Sequence, residues 1–444
     1  MGRYFGTDGI RGVAGELLTP DLAVRVGRAA AAVLAAHRGP GPLFVLGRDT
    51  RLSGPMLEAA LVAGITSGGG HVPLAGVIPT PGLAALVLQQ GADAGVVVSA
   101  SHNPYADNGI KFFNHEGLKL SDEEEGEIER LLHAEVACVR DGDFGSVEVL
   151  DRAVERYVDA LVGRLCVDFS GFHLAVDCAN GATHVAGPRG LRACGARVDV
   201  LYAGPDGVNI NAGCGSTHMD ALREAVRSGD YDLGLAFDGD GDRVLAVDRH
   251  GDLVDGDFII AIVARHLKAR GRLRKDTLVT TVMTNLGFHQ AMEREGIHVV
   301  VTDVGDRYVV QEMLQGDYVL GGEQSGHIIN RDVSTTGDGL ASALLLLQAL
   351  QESESTLQEA ATVMRRLPQR LINIRVRSRD ALQHADVVWA AVVEESRRLG
   401  ESGRVLVRPS GTEPLVRVMV EAPTEEECNS TSDRIAAIVH QHLG

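Results

Sequence analysis

The chain lacks the features that mark secreted, membrane-spanning and zinc-dependent proteins. Its six cysteines show neither a CxxC pair nor zinc-ligand spacing, which predicts reduced, buried thiols rather than a disulfide framework. The longest apolar run, around Leu340 to Leu350, is too short to span a bilayer and predicts a core helix. The amino terminus, MGRYFGTDGIRG, has no apolar segment typical of a signal peptide. We therefore expect a cytoplasmic protein.

The chain also lacks an excess of positive charge. Lys and Arg total 42 against 60 Asp and Glu, a net charge of −18. This balance argues against nucleic acid or an anionic membrane as a partner. A small anionic substrate is still compatible, because it responds to local arginines rather than to net charge. No Walker A pattern is present, so a P-loop nucleotide site is not supported.

The length and the element pattern predict several α/β domains. A chain of 444 residues is too long for one core, and strand and helix patterns alternate along most of it, which favours α/β layers with a largely parallel sheet. Helix starts are predicted at Thr19-Pro20, at Thr80-Pro81, and at a capping box formed by Ser121 and Glu124. A strand is predicted over Tyr318 to Leu320.

Three successive units each end an apolar strand in a polar loop, which suggests an internal structural triplication without a short sequence repeat. The pattern changes near residues 367–369, where a small α+β domain begins. We predict boundaries at 1–150, 151–254, 255–366 and 367–444.

The stretch GVVVSASHNPYADNGIKFF contains the first of these loops. Val96, Val97 and Val98 predict a buried strand, and small polar residues follow it at once. Pro104 disfavours a helix start at the residue before it, so Ser101 should lie in a stiff turn at the carboxyl end of that strand. Open α/β sheets bind ligands at that edge. Taken alone, a Ser-His pair such as this one is better interpreted as a polar turn between two elements.

The second loop, DGDGDR at residues 238–243, carries three carboxylates on alternate residues. Such carboxylates can converge on one hard divalent cation. An EF-hand is disfavoured because Arg243 and Arg249 replace the glycine and glutamate that its template needs. Because an apolar strand leads directly into the loop, we favour a metal site over a solvated acidic turn.

Two further loops carry candidate binding residues. RPSGTEP at residues 408–414, followed by Arg417, offers guanidinium groups, hydroxyls and a glycine amide that can hold a phosphate, although a hairpin turn is the alternative. GGEQSGH at residues 321–327 supplies Glu323, Ser325 and His327, which can bind sugar hydroxyls or form only a turn.

Together these four loops resemble those of the α-D-phosphohexomutase superfamily. SASHNP is similar to its phosphoserine loop, DGDGDR to its metal loop, GEQSGH to its sugar loop and RPSGTEP to its phosphate loop, in the family's order over essentially the whole chain. FGTDGIRG, CGST, VGDRYV and Gln324 most resemble the branch that acts on glucosamine phosphates. The resemblance implies three similar mixed α/β domains plus a smaller C-terminal α+β domain around a central cleft.

The resemblance also implies a reaction and its site residues. Phosphorylated Ser101 would donate its phosphoryl group to glucosamine 6-phosphate, and the 1,6-bisphosphate intermediate would return the other phosphoryl group to leave glucosamine 1-phosphate. The implied metal ligands are Ser101, Asp238, Asp240 and Asp242, holding one Mg²⁺ per chain. The implied catalytic residues are Ser101, Lys111, Arg11, His102 and His327, with Lys111 preferred as general acid/base and His327 second. The implied substrate-binding residues are Arg243, Glu323, Ser325, Arg408, Ser410, Gly411, Thr412 and Arg417.

Alternative functions are open at this point. A sister mutase acting on mannose or glucose phosphates is the first, and a phosphosugar phosphatase or binding protein is the second. The expected partner is a small phosphosugar, without nucleic acid or membrane, and a homodimer is compatible with the sequence.

Overall fold

The computed structural model describes residues 4–6, 8–134, 136–140, 142–165, 167–410 and 414–444. The chain forms two compact units. The first comprises Met1–Met283 and Ile297–Thr362, and the second comprises Thr284–Gly296 and Val363–Gly444.

The first unit begins with a seven-stranded sheet of order β1-β2-β6-β5-β3-β4-β7. Its elements are β1 (Phe5–Gly6), β2 (Gly9–Val13), α1 (Pro20–Arg38), β3 (Phe44–Arg48), α2 (Gly54–Ser67), β4 (Val72–Val77), α3 (Thr80–Gln90), β5 (Ala94–Val98), β6 (Asp107–Asn114), α4 (Asp122–Leu132) and β7 (Val147–Val149). All five residues of β5 are buried, as the run of valines predicts. The predicted cap of α1 at Thr19 is confirmed, and so is the capping box of α4.

A five-stranded sheet follows in the order β12-β11-β10-β8-β9. Its elements are α5 (Ala153–Leu165), β8 (His173–Asp177), α6 (Thr183–Ala193), β9 (Arg197–Leu201), α7 (Asp220–Ser228), β10 (Leu233–Phe237), β11 (Val244–Asp248) and β12 (Leu253–Val254). The central strand β10 is entirely buried, so the loop that follows it starts from a fixed position.

A four-stranded sheet of order β14-β13-β15-β16 completes the first unit. The elements of this part of the chain are α8 (Gly256–Ala269), β13 (Thr277–Thr281), α9 (Leu286–Arg294, which lies in the second unit), β14 (His298–Thr302), α10 (Asp306–Gly316), β15 (Leu320–Gly322), β16 (Ile328–Asn330), α11 (Gly339–Glu352) and α12 (Leu357–Ala361). Helix α11 buries nearly every residue, which confirms the predicted core helix.

The three sheets share one arrangement that the largely parallel prediction missed. In each, a central strand with a parallel neighbour is followed by a short polar loop and then by an antiparallel strand that returns beside it. A parallel crossover needs a dozen or more residues, whereas an antiparallel return needs only a short loop. The sheets are therefore mixed, and the three polar loops are the connections into the return strands.

The second unit is smaller. Its carboxyl-terminal elements are β17 (Gln369–Arg375), α13 (Asp386–Leu399), β18 (Arg404–Pro409), β19 (Leu415–Glu421) and α14 (Glu425–Leu443), and its antiparallel sheet has the order β17-β19-β18. Buried Glu421 joins this sheet to α9, because its carboxylate accepts hydrogen bonds from Asn285 Nδ2 at 3.1 Å and from the Leu286 amide at 2.9 Å. Three mixed α/β sheets and this smaller domain agree with the predicted fold class.

Two predicted positions were wrong. Helix α3 starts at Thr80 as predicted, but Pro79 and not Thr80 is its N-cap residue. The Thr80 hydroxyl donates to Asp240 Oδ2 at 2.7 Å instead of accepting from a helix amide. The strand predicted over Tyr318 to Leu320 is β15, which starts at Leu320 because the chain first turns through left-handed Asp317.

Among the described residues, four of the five cysteines are buried, Cys138 is exposed, and all five are free thiols. No helix in the described ranges has the length and apolar character needed to cross a membrane.

Candidate functional site

The site of the first unit is built from the three loops that enter the return strands. We call residues 99–106 the Ser101 loop, residues 238–243 the aspartate loop and residues 323–327 the Glu323 loop. The Ser101 hydroxyl donates to Asp238 Oδ2 at 2.5 Å, and Arg243 forms an antiparallel bridge with His327. The structure thus brings together residues that lie more than 200 positions apart in the sequence.

Ser101 is held in a backbone conformation that non-glycine residues rarely adopt. Its φ angle is 54°, and its amide donates to Ser99 Oγ at 3.0 Å. Its carbonyl oxygen accepts hydrogen bonds from Arg51 Nη2 and Asn211 Nδ2, each at 2.9 Å. Such backbone strain persists where the surroundings over-determine the conformation, and it concentrates at functional sites.

Arg51 organises the Ser101 loop, and sequence reasoning missed it. The side chain is fully buried, and its guanidinium donates to the carbonyl oxygens of Ser101, Asn103, Pro104 and Asp107. Its Nε donates to Asp49 Oδ2 at 2.8 Å, which supplies the countercharge. Burial raises the pKa of Asp49 while Arg51 opposes that rise. The only sequence signal was an arginine in the polar stretch after β3, which is typical of a surface loop.

Asp238, Asp240 and Asp242 place carboxylate oxygens within 4.8 Å of one another. All three side chains are buried. Burial and the two neighbouring carboxylates raise the pKa of Asp238 well above its usual value. Asp240 Oδ1 and Asp242 Oδ1 are buried and lack a hydrogen-bond partner among the described residues. Converging oxygens with unused lone pairs fit a hard dication such as Mg²⁺.

The two glycines of the aspartate loop are required by this packing. A Cβ atom on Gly239 would lie 2.5 Å from the Ser101 carbonyl oxygen, so only glycine allows the two loops to meet. Gly241 has a φ angle of 73°, and a Cβ atom there would lie 2.4 Å from Thr183 Cγ2. The alternating DGDGD pattern therefore reflects both the carboxylates and the close approach of the backbone.

Lys111 and His327 contact two of these carboxylates. Lys111 Nζ donates to Asp240 Oδ2 at 2.9 Å. Burial opposes its charge, but Asp240 and Asp8 raise the pKa of Lys111. His327 Nδ1 lies 3.5 Å from Asp242 Oδ2, and although burial lowers its pKa, Asp242 and Asp306 bring the net value above the usual one. Lys111 is therefore cationic at neutral pH, and the carboxylates around His327 favour its protonated form.

Two arginines and a neutral histidine lie near the same centre. Burial, then Arg243 and Arg11, lower the pKa of His102 to about 4, so its imidazole is neutral at neutral pH. Arg11 and Arg243 each have a buried Nε atom without a hydrogen-bond partner among the described residues. Guanidinium donors that the protein leaves unused are suited to binding phosphate oxygens.

The Glu323 loop presents polar groups beside this centre. Glu323 accepts from the Gly305 amide at 3.2 Å and from the Ser325 hydroxyl at 3.3 Å. The Gln324 carbonyl oxygen accepts from the Gly256 amide at 3.0 Å, while buried Gln324 Nε2 has no hydrogen-bond partner in the described part of the chain. The backbone of this loop is thus fixed while a side-chain donor stays available.

The candidate phosphate loop lies in the second unit. Arg408 on β18 and Arg417 on β19 are directly opposite each other, so both side chains leave the same face of the sheet. Like charges directly opposite are destabilising unless an anion compensates them. The buried Ser410 closes the loop through its amide, which donates to the Leu415 carbonyl at 2.8 Å. Gly411 and Thr412, also predicted here, lie outside the described residues.

Sequence reasoning missed three further charged residues near the site. Asp8 and Lys119 form an ion pair, and Lys119 Nζ lies 2.5 Å from Asp306 Oδ2. Asp8 and Asp306 occur within FGTDGIRG and VGDRYV, stretches that were noted only for their resemblance. Nothing in the local pattern marks Lys119 as part of the site.

Comparisons with known proteins cover nearly the whole chain. Four phosphoglucomutase/phosphomannomutase family models match in order. They are alpha/beta/alpha domain I at residues 2–137, domain II at 155–251, domain III at 255–367 and the C-terminal domain at 371–438. The chain is 50% identical to the phosphoglucosamine mutase of Bacillus subtilis (strain 168), with 100% of both chains covered. It is 51% identical to that of Desulforamulus reducens, with 99% of both covered.

Solved structures agree with the fold. A phosphoglucomutase/phosphomannomutase family protein from Burkholderia thailandensis has a TM-score of 0.84 at 24% identity, covering 99% of this chain and 98% of that one. The N-acetylphosphoglucosamine mutase of Aspergillus fumigatus, solved with GlcNAc-6P and magnesium, has a TM-score of 0.74 at 18% identity, covering 100% and 96%.

Proposed function

The chain belongs to the phosphoglucomutase/phosphomannomutase family and, within it, to the phosphoglucosamine mutases, and we propose that it interconverts glucosamine 6-phosphate and glucosamine 1-phosphate. It is thus an isomerase that moves a phosphoryl group between two positions of one sugar. The observation that carries the proposal is the Ser101 hydroxyl, which lies 2.5 Å from one of three converging buried carboxylates.

Ser101 is the proposed phosphoryl carrier. Its phosphorylated form donates the phosphoryl group to the 1-hydroxyl of glucosamine 6-phosphate, so that the serine O–P bond breaks as the sugar O1–P bond forms. The resulting glucosamine 1,6-bisphosphate then returns its 6-phosphoryl group to the Ser101 oxygen and leaves as glucosamine 1-phosphate. The enzyme regains its phosphoserine in each cycle, and phosphoryl transfer of this kind depends chiefly on positioning and charge stabilisation.

Asp238, Asp240 and Asp242 would hold one Mg²⁺ ion together with an oxygen of the phosphorylated Ser101. Bound Mg²⁺ supplies Lewis-acid polarisation of the phosphoryl group. The unpartnered Oδ1 atoms of Asp240 and Asp242 support this assignment. Lys111 keeps Asp240 in place through its hydrogen bond, and Thr80 contributes a second one.

Lys111 is the preferred proton carrier, and His327 is the second candidate. The raised pKa of Lys111 keeps it protonated, so it can give a proton to Ser101 Oγ as the phosphoryl group leaves and take up the proton of the attacking sugar 1-hydroxyl. When the 6-phosphoryl group returns, Lys111 gives a proton to the sugar 6-oxygen and takes up that of the Ser101 hydroxyl. Arg11 and Arg243 supply fixed positive charge for the transferring group through guanidinium donors that the protein leaves unused. Neutral His102 adds a polar group next to Ser101 without adding charge.

Substrate binding is assigned to two further loops. Glu323 and Ser325 are proposed to bind sugar hydroxyls. Arg408, Ser410 and Arg417 are proposed to bind the phosphate that does not react, together with Gly411 and Thr412 from the sequence pattern. Arg408 and Arg417 leave the same face of the sheet, and guanidinium groups bind phosphate oxygens.

The choice of sugar is tested by comparing kcat/KM for glucosamine, glucose and mannose 1-phosphates with one priming bisphosphate. The Glu323 carboxylate can accept from the 2-ammonium group of an amino sugar, and each charge-assisted contact of this kind contributes about 1.5–3 kcal/mol. We expect glucosamine phosphate to be preferred over glucose phosphate by at least about tenfold, and mannose phosphate to be poorer still. Equal values, or a preference for mannose, would assign the chain to a sister mutase activity. Release of inorganic phosphate would indicate a phosphatase.

A further inference from the structure

Charged side chains form a closed ring around the reacting centre. Starting at the aspartate loop, Asp240 pairs with Lys111 at 2.9 Å and Lys111 with Asp8 at 3.2 Å. Asp8 pairs with Lys119, and Lys119 with Asp306 at 2.5 Å. His327 lies 3.5 Å from both Asp306 and Asp242, which returns the chain of contacts to the aspartate loop. We call Asp240, Lys111, Asp8, Lys119, Asp306, His327 and Asp242 the charge ring.

The ring alternates in sign outside the aspartate loop. Its side chains are between 0% and 20% exposed. Burial opposes the charge of Asp8, but Lys111 and Lys119 hold its pKa well below the usual value. Burial likewise opposes the charge of Lys119, but Asp306 and Asp8 raise its pKa above its usual value. Outside the aspartate loop, each link therefore joins a carboxylate to a lysine or to the histidine.

The ring joins parts of all three sheets. Asp8 directly precedes β2, and Lys111 lies on β6 of the first sheet. Asp240 and Asp242 belong to the aspartate loop of the second. Asp306 opens α10, beside the third sheet. Lys119 and Asp306 stand out, because neither touches a proposed metal ligand and neither has a role in the reaction described above.

We propose that Lys119 and Asp306 are positioning residues, which fix Lys111 through Asp8 and fix His327 directly, so that both groups face Ser101 in a reactive geometry. This inference rests on the proposed function. Lys119 lies between the carboxylates of Asp8 and Asp306 and holds each by an ion pair. With Lys119 neutral, those two carboxylates would repel each other across a poorly solvated space. Asp8 would then shift toward its other partners, Lys111 and Arg11, and Asp306 toward His327.

Lys119→Gln, Asp306→Asn and the double variant test the proposal by steady-state kinetics on glucosamine 6-phosphate. We expect Lys119→Gln to lower kcat by roughly tenfold to a hundredfold, since displacement of a reacting group by about 1 Å has effects of that size. KM should change by less than about threefold, because neither residue is assigned to substrate binding. Asp306→Asn should lower kcat less, because Lys119 keeps its partner Asp8.

The double variant gives the sharpest result. Removing the Asp306 charge removes the repulsion between Asp306 and Asp8 that Lys119→Gln creates, so the double variant should regain part of the kcat lost in Lys119→Gln. Non-additive effects of this kind are expected for residues that are in contact or belong to one ion-pair network. A matched control is Glu395→Gln, which removes one partner of the Glu395–Arg434 ion pair in the second unit and should leave kcat and KM unchanged.

Several results would overturn the inference. If kcat were unchanged in the properly folded single variants, Lys119 and Asp306 would have only a structural role. A raised KM with unchanged kcat would make Asp306 a substrate ligand. Losses that simply add in the double variant would show that the two residues act separately. Wild-type protein without mutase turnover would overturn the proposed function itself, whereas active wild type with unaffected variants would overturn only the role of the ring.

Discussion

Two sets of buried carboxylates lie at or just after the ends of neighbouring strands of the second sheet, and they differ in how many of their oxygens accept hydrogen bonds. Asp177 ends β8, and both of its oxygens accept backbone hydrogen bonds at 2.8 Å, from Ala179 and Gly215. The aspartate loop follows β10, and Asp240 and Asp242 each keep one oxygen without a hydrogen-bond partner among the described residues. Asp177 shapes the loops, whereas the aspartate loop is left incomplete for a ligand.

The first sheet also contains, among the described residues, both buried charges with complete hydrogen bonding and an arginine with a buried atom that has no partner. Arg51 binds Asp49 and backbone carbonyls, and Asp49 accepts from the Arg51 amide and the Ser99 hydroxyl, so both charges fix the Ser101 loop. Arg11, in the same part of the chain, retains a buried donor without a partner in the described residues. Saturated buried charges should therefore matter for folding, and unsaturated ones for turnover. Substitutions can separate these two effects.

Ser101→Ala should have the largest effect on turnover. The hydroxyl is the proposed phosphoryl carrier, so kcat should fall by at least about a thousandfold, while the unfolding midpoint should hardly change. Intact-protein mass spectrometry should find one phosphate on the wild type and none on the variant. The control is Ser228→Ala, which removes an exposed hydroxyl of α7 and should change neither turnover nor the phosphate content. A phosphate mapped to another residue of active enzyme, with Ser101 unmodified, would refute the assignment.

Arg51→Lys should have the largest effect on stability. Lysine keeps the charge but cannot reach all the carbonyls that the guanidinium holds, and each buried acceptor left without a partner costs about 1–3 kcal/mol. We expect the free energy of unfolding in urea to fall by about 2–5 kcal/mol. The control is Arg397→Lys, on a side chain that is 78% exposed, which should change little. Equal stability of the two variants would contradict the role given to Arg51.

Asp240→Asn should lower turnover strongly while leaving stability almost unchanged. The asparagine oxygen can still accept from Thr80 and Lys111, so stability without metal should hardly fall. Turnover should drop by at least about a hundredfold because a proposed Mg²⁺ ligand is lost. Mg²⁺ should raise the melting temperature of the wild type but not of the variant, and exposed Asp252→Asn should behave like wild type. Full wild-type turnover in excess EDTA would reduce the aspartate loop to a structural turn.

Asp177→Asn should have a smaller effect on stability, and the size of that effect should depend on pH. Burial raises its folded pKa to about 6 from the usual 3.8, so the neutral form is favoured in the folded protein. Its contribution to stability is present at low pH and is lost as pH rises from about 4 to 6. The destabilisation caused by Asp177→Asn should therefore shrink by about 1–3 kcal/mol between pH 4 and pH 7. Urea unfolding at the two pH values measures this, and a penalty that grows with pH would contradict it.

The sequence predicts the proposed reacting residues better than it predicts the buried residues that hold them in place. Ser101 and the three aspartates lie in short patterns directly after apolar strands, so their chemistry and their place at a sheet edge are both readable. Arg51 and Lys119 are not, because their roles depend on partners far away in the chain. Thr80 shows the same limit: its local pattern predicts a helix cap, but its hydroxyl binds Asp240, 160 residues later. Tertiary contacts of this kind override local preference.

The mixed sheets follow the same rule. Alternating strand and helix patterns correctly predicted α/β layers, but β6, β11 and β16 return antiparallel directly after the polar loops. A short apolar run does not reveal the direction of its neighbour. Lys111 lies on β6 opposite Val97 of β5, and His327 lies just before β16. The antiparallel return strands, which the sequence did not predict, therefore bring two proposed catalytic residues to the site.

The central claim is that Ser101 passes its phosphoryl group to an amino sugar and takes one back. Phosphorylated enzyme, mixed with glucosamine 6-phosphate and Mg²⁺ in a single turnover, tests it most directly. We predict that phosphate leaves Ser101 as the sugar bisphosphate appears, and that glucosamine 1-phosphate then forms with phosphate again on Ser101. Release of inorganic phosphate, or formation of glucosamine 1-phosphate while the label on Ser101 stays in place, would contradict the account.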